Sequence, residues 1–222
     1  MQEFLIGCCA IASQRLVLQQ IYLMPHLIAH LPAETDAVIV DGKPLLLWRP
    51  VNAEKLVLET TPEAFGDEER LPYWAMLWPA SIALANHVVH VPGIAGKRVL
   101  ELGAGLGVAG LAAASAGAQV VVTDWYHEAL EYVQSSARLN GLHIEARHLD
   151  WRYPPDGEQY DYVLGADLMY ERRNHVPILD CAQKLLLPGG KLLLSDPERH
   201  PSSFFLASAR ELGWTCVGHP LS

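Results

Sequence analysis

The chain has 222 residues, half of them hydrophobic, enough for one substantial core but not for several independent domains. Sixteen Lys and Arg against twenty-five Asp and Glu leave a formal charge of −9, and no basic run exceeds a pair such as Arg172-Arg173. This balance argues against a nucleic-acid groove and suits a cationic partner.

The first thirty-two residues carry little periodic signal. Phe4 to Ala12 is apolar like the core of a secretion signal, but Glu3 precedes it in place of a basic residue and Gln14-Arg15 follow. Leu16, Leu18, Ile21, Leu23, Leu27, Ile28 and Leu31 do not form one stripe, and Pro25 would break a helix. Residues 1–36 therefore read as a helical extension before a domain at 37–222, with Met24 as an alternative start that would leave 1–23 outside the natural protein.

Val38-Ile39-Val40 and Leu45-Leu46-Leu47-Trp48 flank Asp41-Gly42, a hairpin signal. A polar loop over 63–70 leads into Leu71-Pro72-Tyr73-Trp74-Ala75-Met76-Leu77-Trp78-Pro79, where Trp74 and Trp78 share a face if the segment is helical. Beyond it, strand and helix signals alternate: strand 98–102, helix 107–116, strand 119–123, helix 126–139, strand 143–148, strand 160–166, helix 174–187, strand 191–195, helix 202–212 and strand 214–217. Asn140-Gly141 and Pro188-Gly189-Gly190 close two of the helices. Such alternation predicts an α/β fold, a doubly wound, Rossmann-like and mostly parallel sheet with helices on both faces.

Cys8, Cys9, Cys181 and Cys216 lack metal-ligand spacing and read as reduced thiols of a cytoplasmic protein. His143 and His148 would sit on opposite faces of their strand. No metal site, membrane partner or nucleic-acid partner is expected.

Val99 to Gly110 runs as a buried strand into a glycine loop and then a helix. Glycines 103, 105 and 107 let backbone amides approach an anionic ligand at a helix start. Gly-x-Gly-x-x-Gly also marks dinucleotide sites, and Asp124 lies roughly twenty residues on, where a ribose-binding acid belongs. Four acids at strand ends, Glu101, Asp124, Asp150 and Asp167, resemble instead the class I S-adenosylmethionine methyltransferases.

From about Ala37 onward the chain resembles the family 16 protein lysine methyltransferases, a seven-strand group that includes the electron transfer flavoprotein β-subunit lysine methyltransferase. The resemblance rests on Leu77-Trp78-Pro79, on Glu-Leu-Gly-Ala-Gly-x-Gly at 101–107, and on Asp167-Leu168-Met169-Tyr170, which matches the family's Asp/Glu-x-x-Tyr/Phe signature. It implies S-adenosyl-L-methionine as cofactor and a protein lysine as acceptor.

Residue by residue, the resemblance implies that Gly103, Gly105 and Gly107 cradle the methionine end of the cofactor while Glu101 reaches its ammonium group. Asp124 would accept the ribose hydroxyls, the alternative being a cap for the helix at 126–139. Trp125 would cover the adenine or pack in the core. Asp150 and Trp151 would hold the adenine edge, and Trp78 would press on the cofactor from the lid. Asp167 and Tyr170 are the catalytic candidates. A small-molecule acceptor, another protein acceptor, and a cofactor-binding module without turnover stand as alternatives. The family's sheet closes with an antiparallel last strand, for which this chain shows no segment after 214–217.

Overall fold

Asp41 and Gly42 both take positive φ, 50° and 72°, the geometry that makes Asp-Gly a tight hairpin turn. In the computed structural model, which describes residues 26–59, 71–197 and 200–218, this turn joins β2 (Leu31–Val40) to β3 (Lys43–Pro50). With β1 (His26–Ile28) they form a three-stranded antiparallel sheet. A short helix α1 (Ala53–Glu59) and a 3-10 turn (Tyr73–Ala75) precede α2 (Pro79–Val88).

The predicted alternation then appears as β4 (Arg98–Leu102), α3 (Val108–Ser115), β5 (Gln119–Asp124), α4 (His127–Leu139), β6 (Glu145–His148), β7 (Tyr160–Ala166), α5 (His175–Leu185), β8 (Leu186–Ser195) and α6 (His200–Glu211). The five strands are parallel, in the order β6-β5-β4-β7-β8.

Successive residues of β4 show why both faces must be covered. Val99 packs with Val120, Val122 and Leu164 under α2, α3 and α4, where Leu84, Leu111 and Val133 are buried. Leu100 and Leu102 point the other way, with Val121 and Val163, onto Ile178 and Leu179 of α5 and Phe205 of α6. A strand buried on both faces reads as a continuous apolar run, as these do.

The antiparallel sheet is clamped to α4 by side chains. Asn140 accepts from the Leu46 amide at 3.0 Å and donates to its carbonyl at 2.6 Å, in the manner of a neighbouring strand. Ser136 Oγ accepts from the Trp48 amide at 2.8 Å.

Five expectations are corrected. Leu27, Ile28 and Leu31 belong to strands and not to a helix, and β2 runs through the expected boundary at 36/37 because its pairing with β3 extends from Ala33 to Val40. Residues 1–25, with the signal-like stretch and Met24, lie outside the described residues. The helix expected to reach 187 stops at Leu185, since Leu186 pairs with Tyr160 and Pro188 disfavours helical backbone at Leu187. β6 begins at Glu145, later than expected. No strand forms over 214–217: the Trp214 amide donates to Ala209 O at 3.0 Å, closing α6, and Trp214 and Cys216 pack on the α5–α6 side.

Candidate active site

All five parallel strands end at one edge, and the loops leaving β4, β5, β6 and β7 there enclose a cavity of about 500 Å³. Ligands of open parallel sheets bind outside this edge. The lid comes from the segment before α2. Trp78 is extended, not helical, because Pro79 starts α2, and its indole N–H donates to Tyr73 O at 3.0 Å. Trp74 and Trp78 therefore share no helix face, although both line the cavity. Trp74 also packs on Tyr126 and Tyr132, at ring separations of 6.4 and 5.5 Å.

Of the expected site residues, Trp78, Gly103, Gly105, Asp124, Trp125, Asp150, Trp151, Asp167 and Tyr170 all line this cavity. Glu101 and Gly107 do not. Gly107, at φ 71°, caps α3, and a Cβ there would lie 2.5 Å from Val133 of α4; its missing side chain serves helix packing. Gly103 serves both purposes, since it faces the cavity while a Cβ on it would meet Leu168 at 2.7 Å and Trp151 at 3.3 Å.

Glu101 is 1% exposed and accepts the Gly110 amide, in the first turn of α3, at 2.8 Å. It anchors the start of α3. Burial pushes its carboxyl up to about 8, so between about 4.5 and 8 the folded chain holds a proton that the unfolded chain releases. The Glu101 contribution must therefore erode stability as pH rises through that window. Glu101→Gln keeps an acceptor for Gly110 without the buried charge. It is expected to flatten the pH dependence and to be more stable than the parent at pH 8 by about 3 kcal/mol or more, at ~1.4 kcal/mol per pKa unit. Urea unfolding at pH 5, 6.5 and 8 measures this, and an unchanged pH slope would refute it.

Asp124 ends β5 with Oδ2 accepting Gly105 N at 2.9 Å and Oδ1 accepting Tyr126 N at 2.8 Å. The bond two residues on is an Asx turn. Tyr126 is the N-cap of α4 and the helix carries no side-chain cap bond, so Asp124 is not its cap. Burial raises its carboxyl to about 6, and the backbone donors oppose the rise.

Asp150 has company the sequence did not signal. Arg152 grips it through Nη2 at 2.6 Å and Nε at 2.9 Å to both oxygens. The same guanidinium lies 5.8 Å from the Trp125 ring, and Trp125, 38% exposed, lies 5.1 Å from the His148 ring.

Asp167 adopts φ 57°, left-handed for a residue other than glycine. Such backbone costs roughly 1–2 kcal/mol and gathers at functional sites. It is held by its amide, which donates to Ser195 O at 2.8 Å, while Ser195 Oγ donates to Ala80 O at 2.7 Å. Tyr170 stands edge-on to Tyr73 with centroids 6.0 Å apart. Burial, helped by Glu171 and Asp124, pushes its phenol up to about 12.

His175, which sequence reading missed, is 2% exposed with Nε2 2.9 Å from Met169 O, so an Nε2–H would tie the 167–170 loop to the start of α5. A single histidine at a helix start offered no signal for this. Among the described residues no three His, Cys, Asp or Glu side chains gather as metal ligands, and no helix is long and apolar enough to cross a membrane.

Residues 68–210, well over half of the chain, match the lysine methyltransferase family. The chain belongs to that family. It is 33% identical over 140 residues to "Protein N-lysine methyltransferase METTL21A" of Danio rerio, a match covering 58% of this chain and 63% of that protein. It is also 28% identical over 159 residues to "Histone-arginine methyltransferase METTL23" of Homo sapiens, covering 65% of this chain and 82% of that protein. The chain thus spans less than two thirds of the METTL21A relatives it matches.

Solved structures share the fold. A Thermus thermophilus 16S rRNA N2 G1207 methyltransferase in complex with AdoMet and guanosine superposes with a TM-score of 0.56 at 19% identity, over 79% of this chain and 45% of that one. The ribosomal protein L11 methylase from Lactobacillus delbrueckii gives 0.51 at 20% identity, over 58% and 65%. The family's fold is the class I S-adenosylmethionine methyltransferase fold, as expected from the glycine loop and the strand-end acids.

Proposed function

We propose that the chain is an S-adenosylmethionine-dependent methyltransferase acting on a lysine side chain of a protein. The observation that carries this reading is the convergence of Asp124, Asp167 and Tyr170 on one aromatic-walled cavity at the carboxyl edge of the sheet. The residues fit the cofactor. The Asp124 carboxylate accepts backbone amides from Gly105, Trp125 and Tyr126, and a carboxylate with about four lone-pair sites still has acceptor capacity for a ribose hydroxyl. Gly103, Gly105, Trp78, Trp125, Asp150 and Trp151 all line the cavity; in this reading the glycines and Trp78 would flank the cofactor and Trp125, Asp150 and Trp151 would hold its adenine.

S-adenosylmethionine, when bound, supplies an electrophilic methyl group on a sulfonium. The work of the chain is then to align a neutral amine and exclude water, and alignment alone contributes roughly 7–11 kcal/mol in well-oriented systems. Asp167 orients the amine as a hydrogen-bond acceptor. It is not a base, since a carboxylate beside an amine raises the amine's pKa. Tyr170 keeps its proton at neutral pH and walls the amine channel. A protein acceptor of cationic character suits the acidity of the chain, and a cytoplasmic setting suits the free Cys181 and Cys216.

The METTL23 match favours one second reading, an arginine acceptor, because it covers more of both chains than the METTL21A match does. One experiment addresses both. The purified chain and its Asp167→Ala variant are incubated with methyl-labelled S-adenosylmethionine and a cell extract. Labelled proteins are resolved on a denaturing gel, and the label is traced by amino-acid analysis. A discrete band absent with the variant and yielding methyl-lysine is expected. Methyl-arginine would move the reading to arginine, and no labelled protein despite cofactor binding would move it to a small-molecule acceptor or a non-catalytic binder.

A further inference from the structure

Tyr73 lies between two aromatic walls of the cavity. Its ring is 6.0 Å from Trp78 at 77° and 6.0 Å from Tyr170 at 84°, so both neighbours stand nearly perpendicular to it. All three line the same space as Asp167. Aromatic faces carry negative quadrupole density and attract cations within about 6 Å of the centroid. The rim cations nearby are already matched, Arg173 by Glu171 at 2.8 Å and Arg152 by Asp150 at 2.6 Å.

We propose that Tyr73 and Tyr170 form the aromatic wall of an acceptor subsite that recognises an alkylammonium side chain, with Tyr73 as a specificity-determining residue and Asp167 at its inner end. The proposal rests on the methyltransferase reading and adds the recognition element. The Trp78 indole donates to the Tyr73 carbonyl, a backbone bond that a change of the Tyr73 side chain leaves in place, while the two rings meet edge-on. Removing the Tyr73 ring should therefore weaken the acceptor subsite while leaving the Trp78 anchor in place.

The test uses Nα-acetyl-lysine methylamide and its uncharged counterpart Nα-acetyl-norleucine methylamide as probes. Each is titrated by ligand-observed NMR against the full chain saturated with S-adenosylhomocysteine. The parent is expected to prefer the lysine probe, Tyr73→Ala to lose about tenfold in that preference, and Tyr73→Phe to retain it. Affinity for S-adenosylhomocysteine should stay within about twofold in both variants.

Equal or absent binding of the two probes by the parent would overturn the proposal. So would a Tyr73→Phe variant as defective as Tyr73→Ala, which would assign the effect to the hydroxyl. Loss of S-adenosylhomocysteine affinity in Tyr73→Ala would place Tyr73 on the cofactor wall and overturn it too. A parent chain that does not bind S-adenosylhomocysteine at all would sink the methyltransferase reading itself, and this proposal with it.

Discussion

Asp167→Asn is expected to lower kcat/KM for the protein acceptor by about 100-fold or more while leaving cofactor affinity within about threefold. Asparagine tolerates left-handed backbone nearly as well as aspartate, so the φ of 57° at this position survives the change. The amide bond to Ser195 O is a backbone contact and survives as well. What the variant lacks is a charged acceptor for the amine, and hydrogen bonds to charged groups contribute about 1.5–3 kcal/mol each. Asp167→Ala should behave similarly in rate but also lose roughly 1–2 kcal/mol of stability, because alanine fits the left-handed region poorly. Steady-state kinetics with the labelled acceptor, beside calorimetric titration of the cofactor, separates the two effects. An Asp167→Asn variant as active as the parent would remove Asp167 from the chemistry.

Asp124→Ala should weaken S-adenosylmethionine binding by at least about 100-fold, or about 3 kcal/mol. Two losses combine. The acceptor for the ribose hydroxyls disappears, and the Gly105 and Tyr126 amides that now point at the carboxylate lose their partner, loosening the glycine loop itself. The pH dependence follows from the carboxyl at about 6. If the bound cofactor favours the ionised form, binding releases a proton below that value, and affinity rises as pH climbs from about 5 to 7 before levelling. Stability of the free chain runs in the opposite sense, because a carboxyl raised by burial makes the folded state the better proton acceptor between its unfolded value and 6. Titrations across pH 5–8 with the parent and Asp124→Asn test this. A flat affinity profile for the parent would contradict the role given to Asp124.

The glycine loop and the strand-end acids were legible because their chemistry is local. A short apolar run followed by Gly103-Ala104-Gly105 admits few backbone paths, and Asp124 closes β5 within hydrogen-bond reach of that loop through its own Asx turn. The Asp41-Gly42 hairpin was legible for the same reason, since two positive φ angles are a property of the dipeptide. Roles were not legible where they depend on a neighbour distant in the chain. Glu101 reads in the sequence as a ligand contact, and its bond from Gly110 N appears only once α3 folds over it. Gly107 reads in the sequence as part of a cradle, and its close fit against Val133 of α4 appears only in the fold. The helical spacing of Trp74 and Trp78 was defeated by Pro79, which makes its own residue the first of α2 and leaves Trp78 extended.

The motifs at 77–79, 101–107 and 167–170 carried the resemblance to a methyltransferase family, while hydrophobic alternation and the placement of the glycines specified a parallel α/β sheet and its carboxyl edge as the candidate site. Those properties depend on short-range backbone chemistry and on the period of burial, both written along the chain. Tertiary packing alone decided which of the singled-out residues face the cavity, that Arg152 neutralises Asp150, that His175 ties down the Asp167 loop, and that Tyr73 stands between Trp78 and Tyr170. Each is a contact between side chains brought together by loops whose course no local propensity dictates.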